Sequence, residues 1–307
     1  MKFPKITEAV RLQKLNPPTG KIRMVLDTDT YNEIDDQFAV VYSLISPEKL
    51  DVEAIYAAPY FNTRSSGPKD GMEKSYEEIL RLLNRLDISP ENFAFKGSTE
   101  YLTDIVNPCK SDAVTDLIDR AMKFSDDDPL YVVAIGAITN IASAILIEPK
   151  IINKIVVVWL GGHSFHWPNT AEFNLGQDLN ASRLIFDCGV PLIQIPCQGV
   201  TSHLHTTVPE LEKFVKGSGE IGAYLFEIFC DHHSDHYAWS KVIWDISTIA
   251  FLINASWVPT NIIHSPIVTD QKTWSFDSSR HFIRSAYMVH RDLIFKDFFK
   301  KLADRAD

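Results

Sequence analysis

The chain has 307 residues, 45% of them hydrophobic and 23% charged, with a formal net charge of −10. That balance is typical of a soluble globular protein and excludes a nucleic-acid backbone as the expected partner. No apolar run is long enough to span a bilayer, and the opening MKFPKITEAVRLQKLNPP lacks the apolar centre of a secretion signal. A cytoplasmic protein without membrane contact is expected. The cysteines at 109, 188, 197 and 230 are scattered, which predicts reduced, mostly buried thiols.

Along the chain, residues 1–20 read as an amphipathic lead-in ending in NPPTG. IRMVLDT (22–28) predicts a strand, and DDQFAVVYSLIS, apolar almost all round, predicts a buried helix. VEAIYAA is a second strand. SYEEILRLLNRL sets Ile79, Leu82, Leu83 and Leu86 on one side of an amphipathic helix. LYVVAIG, KIVVVWLGG and PLIQIP predict further strands. Helices are expected from about Thr139 to Ile147 and over DLNASRLIFDCG. Two more are expected between Pro209 and His233, one near Asp245, and one over RDLIFKDFFKKLADR. Continuous apolar strands alternating with helices imply a single α/β domain over 1–307. Its mixed, mostly parallel central sheet carries helices on both faces. The least regular stretches, 60–72 and 162–177, follow predicted strands, where such sheets bind ligands.

The turn DTDTYNEIDD concentrates charge at the rim of a core. Asp27 and Asp29 end the first strand, Asp35 and Asp36 open the next helix, and Glu33 lies between them. A helix N-terminus favours an acid by about 1 kcal/mol, too little to offset several carboxylates raising one another's pKa. A divalent cation would resolve the conflict. The donors in this stretch are all oxygens, which points to calcium or magnesium rather than zinc.

DTDTYNEIDD, IGAITNIASAI (135–145), VVVWLGG (156–162), AEFNLGQDLNAS (171–182) and WDISTIAFLI (244–253) occur in this order. Together they resemble the inosine-uridine-preferring nucleoside hydrolases over roughly residues 22 to 255. The resemblance implies that family's fold, with a Rossmann-like core, and a calcium-dependent N-ribohydrolase that works as a homodimer or homotetramer on a small-molecule nucleoside. It implies Asp29 as metal ligand and general base, with Asp36, the Ile135 carbonyl and Asp245 completing the metal site. Asp35, Glu172 and Asn174 would contact the ribose, with Asn62 as a further contact. Two departures stand out. Five residues, TYNEI, separate Asp29 from Asp35 where the family has three, so the turn must bulge and can bring Glu33 toward the ion. Trp244 stands where many members carry a histidine, as in the purine-preferring branch, where it stacks on the base. His166 and Asn169 are the alternatives for the family's ribose-contacting Asn.

Hydrolysis of an N-glycosidic bond needs a positioned water, a stabilised oxocarbenium-like sugar and help for the departing base. His232, His233 and His236 lie in CDHHSDHYAW, and His236 is the candidate acid for the leaving base. Zinc on His232 and His236 lacks a third ligand at suitable spacing. Tyr31, Tyr60 and Phe61 fall on site loops. Thr139 and Asn140 are expected to brace the loop presenting Ile135, and His203 and His205 to be structural. Two other classes compete: a non-catalytic nucleoside- or ribose-binding homologue, and a haloacid-dehalogenase-like phosphatase suggested by DTDTY.

Overall fold

Strand β1 (Ile22–Thr28) alternates its side chains between two cores, as the two-residue period of a strand requires. Met24 and Leu26 pack with Phe38, Val41 and Phe298 on one face of the sheet. Val25 joins Val132, Val157 and Trp159 on the other. The computed structural model describes residues 3–306. Met1, Lys2 and Asp307, at the ends of the expected domain, lie outside the described residues.

Five more strands run parallel to β1: β2 (Leu50–Ala57), β3 (Ala94–Lys96), β4 (Leu130–Ala134), β5 (Ile155–Leu160) and β6 (Leu192–Ile195). They lie in the order β3-β2-β1-β4-β5-β6. The sheet then continues past β6 with Phe282–Ala286, again parallel, and ends on Thr260–His264, the one antiparallel neighbour. Helices cover both faces, and the fold is the expected α/β architecture.

Three features differ from the sequence reading. The helix expected from Ser75 begins at Pro68, seven residues earlier. Proline suits a first helical turn, where its missing N–H would have no partner, and Gly71 permits the approach to the Tyr60 carbonyl. The helix Asp112–Ala121 was not anticipated, although Ser111 caps it through the Val114 N–H. Nor were the strands Ala94–Lys96, Thr260–His264 and Phe282–Ala286. They are short and partly exposed, so they lack the continuous apolar run that marks a central strand.

The C-terminal ends of β1, β4, β5 and β6 lie side by side in the sheet. The loops leaving them, with the helices Asp35–Leu44 and Ile246–Ile253, surround one cleft. Those two helices pack against each other. The first and last acidic segments of the chain therefore meet there.

Candidate active site

The cleft has a volume of about 410 Å³. Its walls include Asn32, Glu33, Asp35, Asp36, Asn62, Ile135, His163, Glu172, Asn174, Cys197, Gln198, Trp244 and Asp245.

Its acid end is built from buried groups. Asp35, Asp36 and Asp245 are 5%, 2% and 3% exposed, and each offers an oxygen within 4.8 Å of the others. At an effective dielectric of about 20, two full charges at that separation repel by roughly 3–4 kcal/mol. Burial, then neighbouring charge, drives the carboxyl pKa values upward, to about 6 for Asp35 and about 7 for Asp36, with Asp245 well above its usual range. Asp35 is held lower by the Lys241 ammonium. Thr28 Oγ1 donates to Asp36 Oδ1 at 2.5 Å and fixes its rotamer.

Asp29 is fully buried, yet neither of its carboxylate oxygens has a hydrogen-bond partner. Burial and the Asp36 charge push its pKa well up. Gly136 makes room for it, because a Cβ there would sit 3.1 Å from Asp29 Oδ1. A buried carboxylate with no partner is rare and calls for an explanation. Beside three more acids, a hard cation supplies one: the donor set is all oxygen and already crowded. The three carboxylates closest to one another are those of Asp35, Asp36 and Asp245, and Asp29 feels the charges of Asp36 and Asp35, so Asp35, expected as a ribose contact, belongs to the group that could hold an ion.

The five-residue turn does bulge. Asn32 N–H closes it onto the Asp29 carbonyl at 2.7 Å. Asn62 Nδ2 donates to Asn32 Oδ1 at 2.6 Å, and Arg64 donates to the Glu33 carbonyl at 2.9 Å. Lys241 forms an ion pair with the Glu33 carboxylate. Asn62 thus lines the cleft but spends its amide on the bulge.

Across the cleft, Glu172 caps the helix Phe173–Gln177. It accepts from the N–H groups of Gly162, Asn174 and Leu175 at 2.8–2.9 Å. Asn174 Nδ2 donates to the carbonyls of Ile135 and Leu160 at 3.0 and 3.1 Å. Trp244 faces the cleft and has no aromatic partner among the described residues.

The structure does not bring every candidate to this cleft. His236 sits on an exposed turn, its Nε2 against the Cys230 carbonyl at 3.0 Å and its ring against Trp239. His232 and His233 stack on the same indole. His166 and Asn169 are exposed, with Asn169 closing a local turn onto the Ala171 N–H. Tyr31 lies under Arg64 in a neighbouring cleft, Tyr60 is buried, and Phe61 is exposed. His203 bonds locally to the Val200 carbonyl, and His205 bonds the Ser240 hydroxyl across the short β-pair there. Thr139 and Asn140 brace other segments than the Ile135 loop: Thr139 bonds Asp178, and Asn140 bonds Asp27 and Ser98. Sequence reasoning missed His163, Cys197, Gln198 and Lys241. The first three directly follow strands β5 and β6, and that position was the available signal. Lys241 carried none, since its ion-pair partner Glu33 lies 208 residues away.

Comparison with known proteins gives one family, together with relatives of similar sequence and similar fold. The family model described as "Inosine-uridine preferring nucleoside hydrolase" matches residues 24–281. The pyrimidine-specific ribonucleoside hydrolase RihA of Escherichia coli O1:K1 / APEC is 29% identical over 260 residues, covering 75% of this chain and 79% of RihA. The purine-preferring ribonucleoside hydrolase from Gardnerella vaginalis superposes with a TM-score of 0.75 at 21% identity, over 92% of this chain and 99% of that one. The plant nucleoside hydrolase PpNRh1 superposes with a TM-score of 0.71 at 21% identity, over 93% and 99%. These two likenesses concern the fold. With a family model spanning most of its length and the family's acid cluster assembled in one cleft, the chain belongs to the inosine-uridine preferring nucleoside hydrolases and is an N-ribohydrolase.

Proposed function

We propose that the enzyme cleaves the N-glycosidic bond of ribonucleosides with calcium in its acid cluster, and that it favours purines. The observation that carries this reading is the pair of partnerless Asp29 oxygens beside the Asp35, Asp36 and Asp245 trio, in a cleft shared with Trp244.

A divalent ion held by Asp36, Asp245, Asp29 or Asp35, and the Ile135 carbonyl would supply the positive charge that keeps these carboxylates ionised and acidifies a bound water. The protein's own groups carry the remaining tasks. Asp29, whose carboxylate oxygens have no hydrogen-bond donor, takes a proton from the attacking water. Asp35 accepts from the ribose diol. Glu172, held rigid by three N–H donors, places negative charge where the oxocarbenium develops. Trp244 offers a flat face to the base. A two-ring purine covers more of an indole than a pyrimidine does, which is our reason for the purine leaning. His236 is too exposed, and too engaged with Trp239 and Cys230, to serve as the leaving-group acid without moving.

The test is reducing-sugar release from a panel of purine and pyrimidine ribonucleosides, with and without a chelator. Release that the chelator abolishes and calcium restores supports the reading. Binding without release would indicate a non-catalytic homologue, and turnover of a phosphomonoester instead would indicate a phosphatase. We further propose a cytoplasmic homodimer or homotetramer, which sedimentation would check. No helix among the described residues is long and apolar enough to cross a membrane.

A further inference from the structure

We infer that the groove between the helix Val208–Phe214 and the C-terminal helix Arg291–Ala306 is a binding site for an anionic amphiphile, a single acyl chain with an acidic head. The groove shares no residue with the cleft that holds the acid cluster, and its volume of about 520 Å³ is the larger of the two. That volume falls within the range of about 300–1,000 Å³ usual for small-molecule sites. The inference goes beyond nucleoside hydrolysis and does not depend on it.

The apolar floor follows from helix spacing. In RDLIFKDFFKKLADR, Ile294, Phe298 and Leu302 recur every four residues and are fully buried in the core. Phe295, Phe299 and Ala303 form a second stripe one residue further round, and this stripe lines the groove. The helix is therefore apolar over more of its surface than the core needs. Phe214, at the end of the facing helix, supplies the other wall and is 47% exposed. Its ring lies nearly parallel to that of Phe299, at 13° with centroids 6.0 Å apart.

Charge selects the sign of the ligand. Glu210 and Asp292 are the acids of the lining, and Arg291 pairs with both. Lys213, Lys296 and Lys300 also line the groove, and among the described residues none of them has an ion-pair partner. All three are exposed. On a chain of net charge −10, this apolar trough is rimmed by an excess of cations. A neutral or cationic ligand would leave that rim unanswered.

Shape selects an acyl chain over a docking helix. From Arg291 to Ala303 the lining runs about 18 Å along the helix, at 1.5 Å per residue. The volume spread over that length gives a section of about 30 Å². A helix with its side chains is about 10–12 Å across and needs more than twice that section. An alkyl chain lies lengthwise in such a trough, releases water from the phenyl rings, and leaves its acidic head at the lysine rim.

Calorimetry of the full chain with octanoate, decanoate and dodecanoate, each below its aggregation threshold, tests this. One site per chain is expected, tightening about tenfold for each added pair of methylenes, the scale of apolar transfer. Dodecyltrimethylammonium carries the same tail with the opposite charge and should bind about tenfold more weakly than dodecanoate, or weaker still. Lys296→Gln combined with Lys300→Gln should weaken dodecanoate by about tenfold at an unchanged melting temperature. Phe214→Asp, which sets an acid in the wall, should remove measurable binding. No saturable binding, equal affinity for the cation, or binding that both variants leave intact overturns the inference. Flotation with anionic phospholipid vesicles without saturable carboxylate binding would make the groove a membrane contact and also overturns it. So does a wild-type oligomer that excludes dodecanoate and that Phe214→Asp dissociates, which would give the groove to a second copy of the chain.

Discussion

Lys241 and Glu33 form an ion pair that ties the bulge of the acidic turn to the segment just before Trp244. The two partners are unequal. Lys241 has only 10% of its side chain exposed, Glu33 has 43%, and Lys241 also feels the charges of Asp35 and Asp245. Removing the lysine therefore strips a cation from the acid cluster, whereas removing the glutamate leaves that cation in place. With a chelator present, Lys241→Met should lower stability by about 1–2 kcal/mol and Glu33→Gln by about 0.5 kcal/mol, the scale of a partly exposed pair. Saturating calcium should narrow the gap, because the ion replaces the missing positive charge. Denaturant melts of both variants, with and without calcium, check this. Equal losses under both conditions would show that the pair acts only as a surface contact.

The acid cluster should make the metal-free protein less stable as pH rises. The folded pKa values are raised, to about 6 for Asp35, about 7 for Asp36 and about 8 for Asp27. A raised carboxyl pKa means that the folded state binds protons more tightly than the unfolded state. The associated stability is complete below the unfolded value near 4 and disappears as pH climbs through the folded values. Melting temperature in chelator should accordingly fall between about pH 5 and 8. Calcium should reverse the trend for the cluster and release protons on binding, which calorimetry in buffers of different ionisation enthalpy reads directly. A flat melting profile in chelator would contradict the burial argument.

Asp245→Asn tests whether the cluster is a metal site rather than a set of protonated acids. A neutral amide in place of a buried carboxylate relieves repulsion, so the metal-free variant should melt at or above the wild-type temperature. It should also lose the calcium-induced rise in melting temperature and most activity, by about a thousandfold or more. A variant that keeps the calcium shift would place the ion elsewhere.

Much of the fold was legible because β4 and β5 are buried on both faces and read as unbroken apolar runs, with β1 and β6 apolar but for a residue or two. The short edge strands bury too little to leave such a trace. Much of the acid cluster was legible too, since three of its members, Asp29, Asp35 and Asp36, lie in one decapeptide and Asp245 follows a recognisable Trp. What stayed hidden is long-range pairing. Asp27 belongs to the same decapeptide, but nothing local says that Asn140 Nδ2 reaches it at 3.0 Å from 113 residues away. Asn140→Ala should cost about 2–3 kcal/mol, because Asp27 is 1% exposed and would lose its side-chain donor while Ser98 loses its acceptor. Denaturant unfolding measures that loss, and a change under 1 kcal/mol would mean that water takes over the bonds.

His236 and Trp244 separate two accounts of how the base departs. If an acid on the 230–240 segment protonates the base, His236→Ala should cost a hundredfold or more. The position of His236 argues otherwise: it is exposed, and its Nε2 lies 3.0 Å from the Cys230 carbonyl. We expect His236→Ala to change kcat by less than about threefold, as for a surface group. Trp244→Leu keeps an apolar side chain but loses the flat face. It should lower kcat/KM for purine nucleosides by about tenfold or more and for pyrimidine nucleosides less, since stacking is worth roughly 0.5–1.5 kcal/mol beyond area burial. Steady-state kinetics on a matched purine and pyrimidine pair reads both variants. A large loss in His236→Ala would mean that the 230–240 turn folds over the cleft during turnover. A uniform loss in Trp244→Leu would reduce Trp244 to a wall of the cleft and remove the ground for a purine preference.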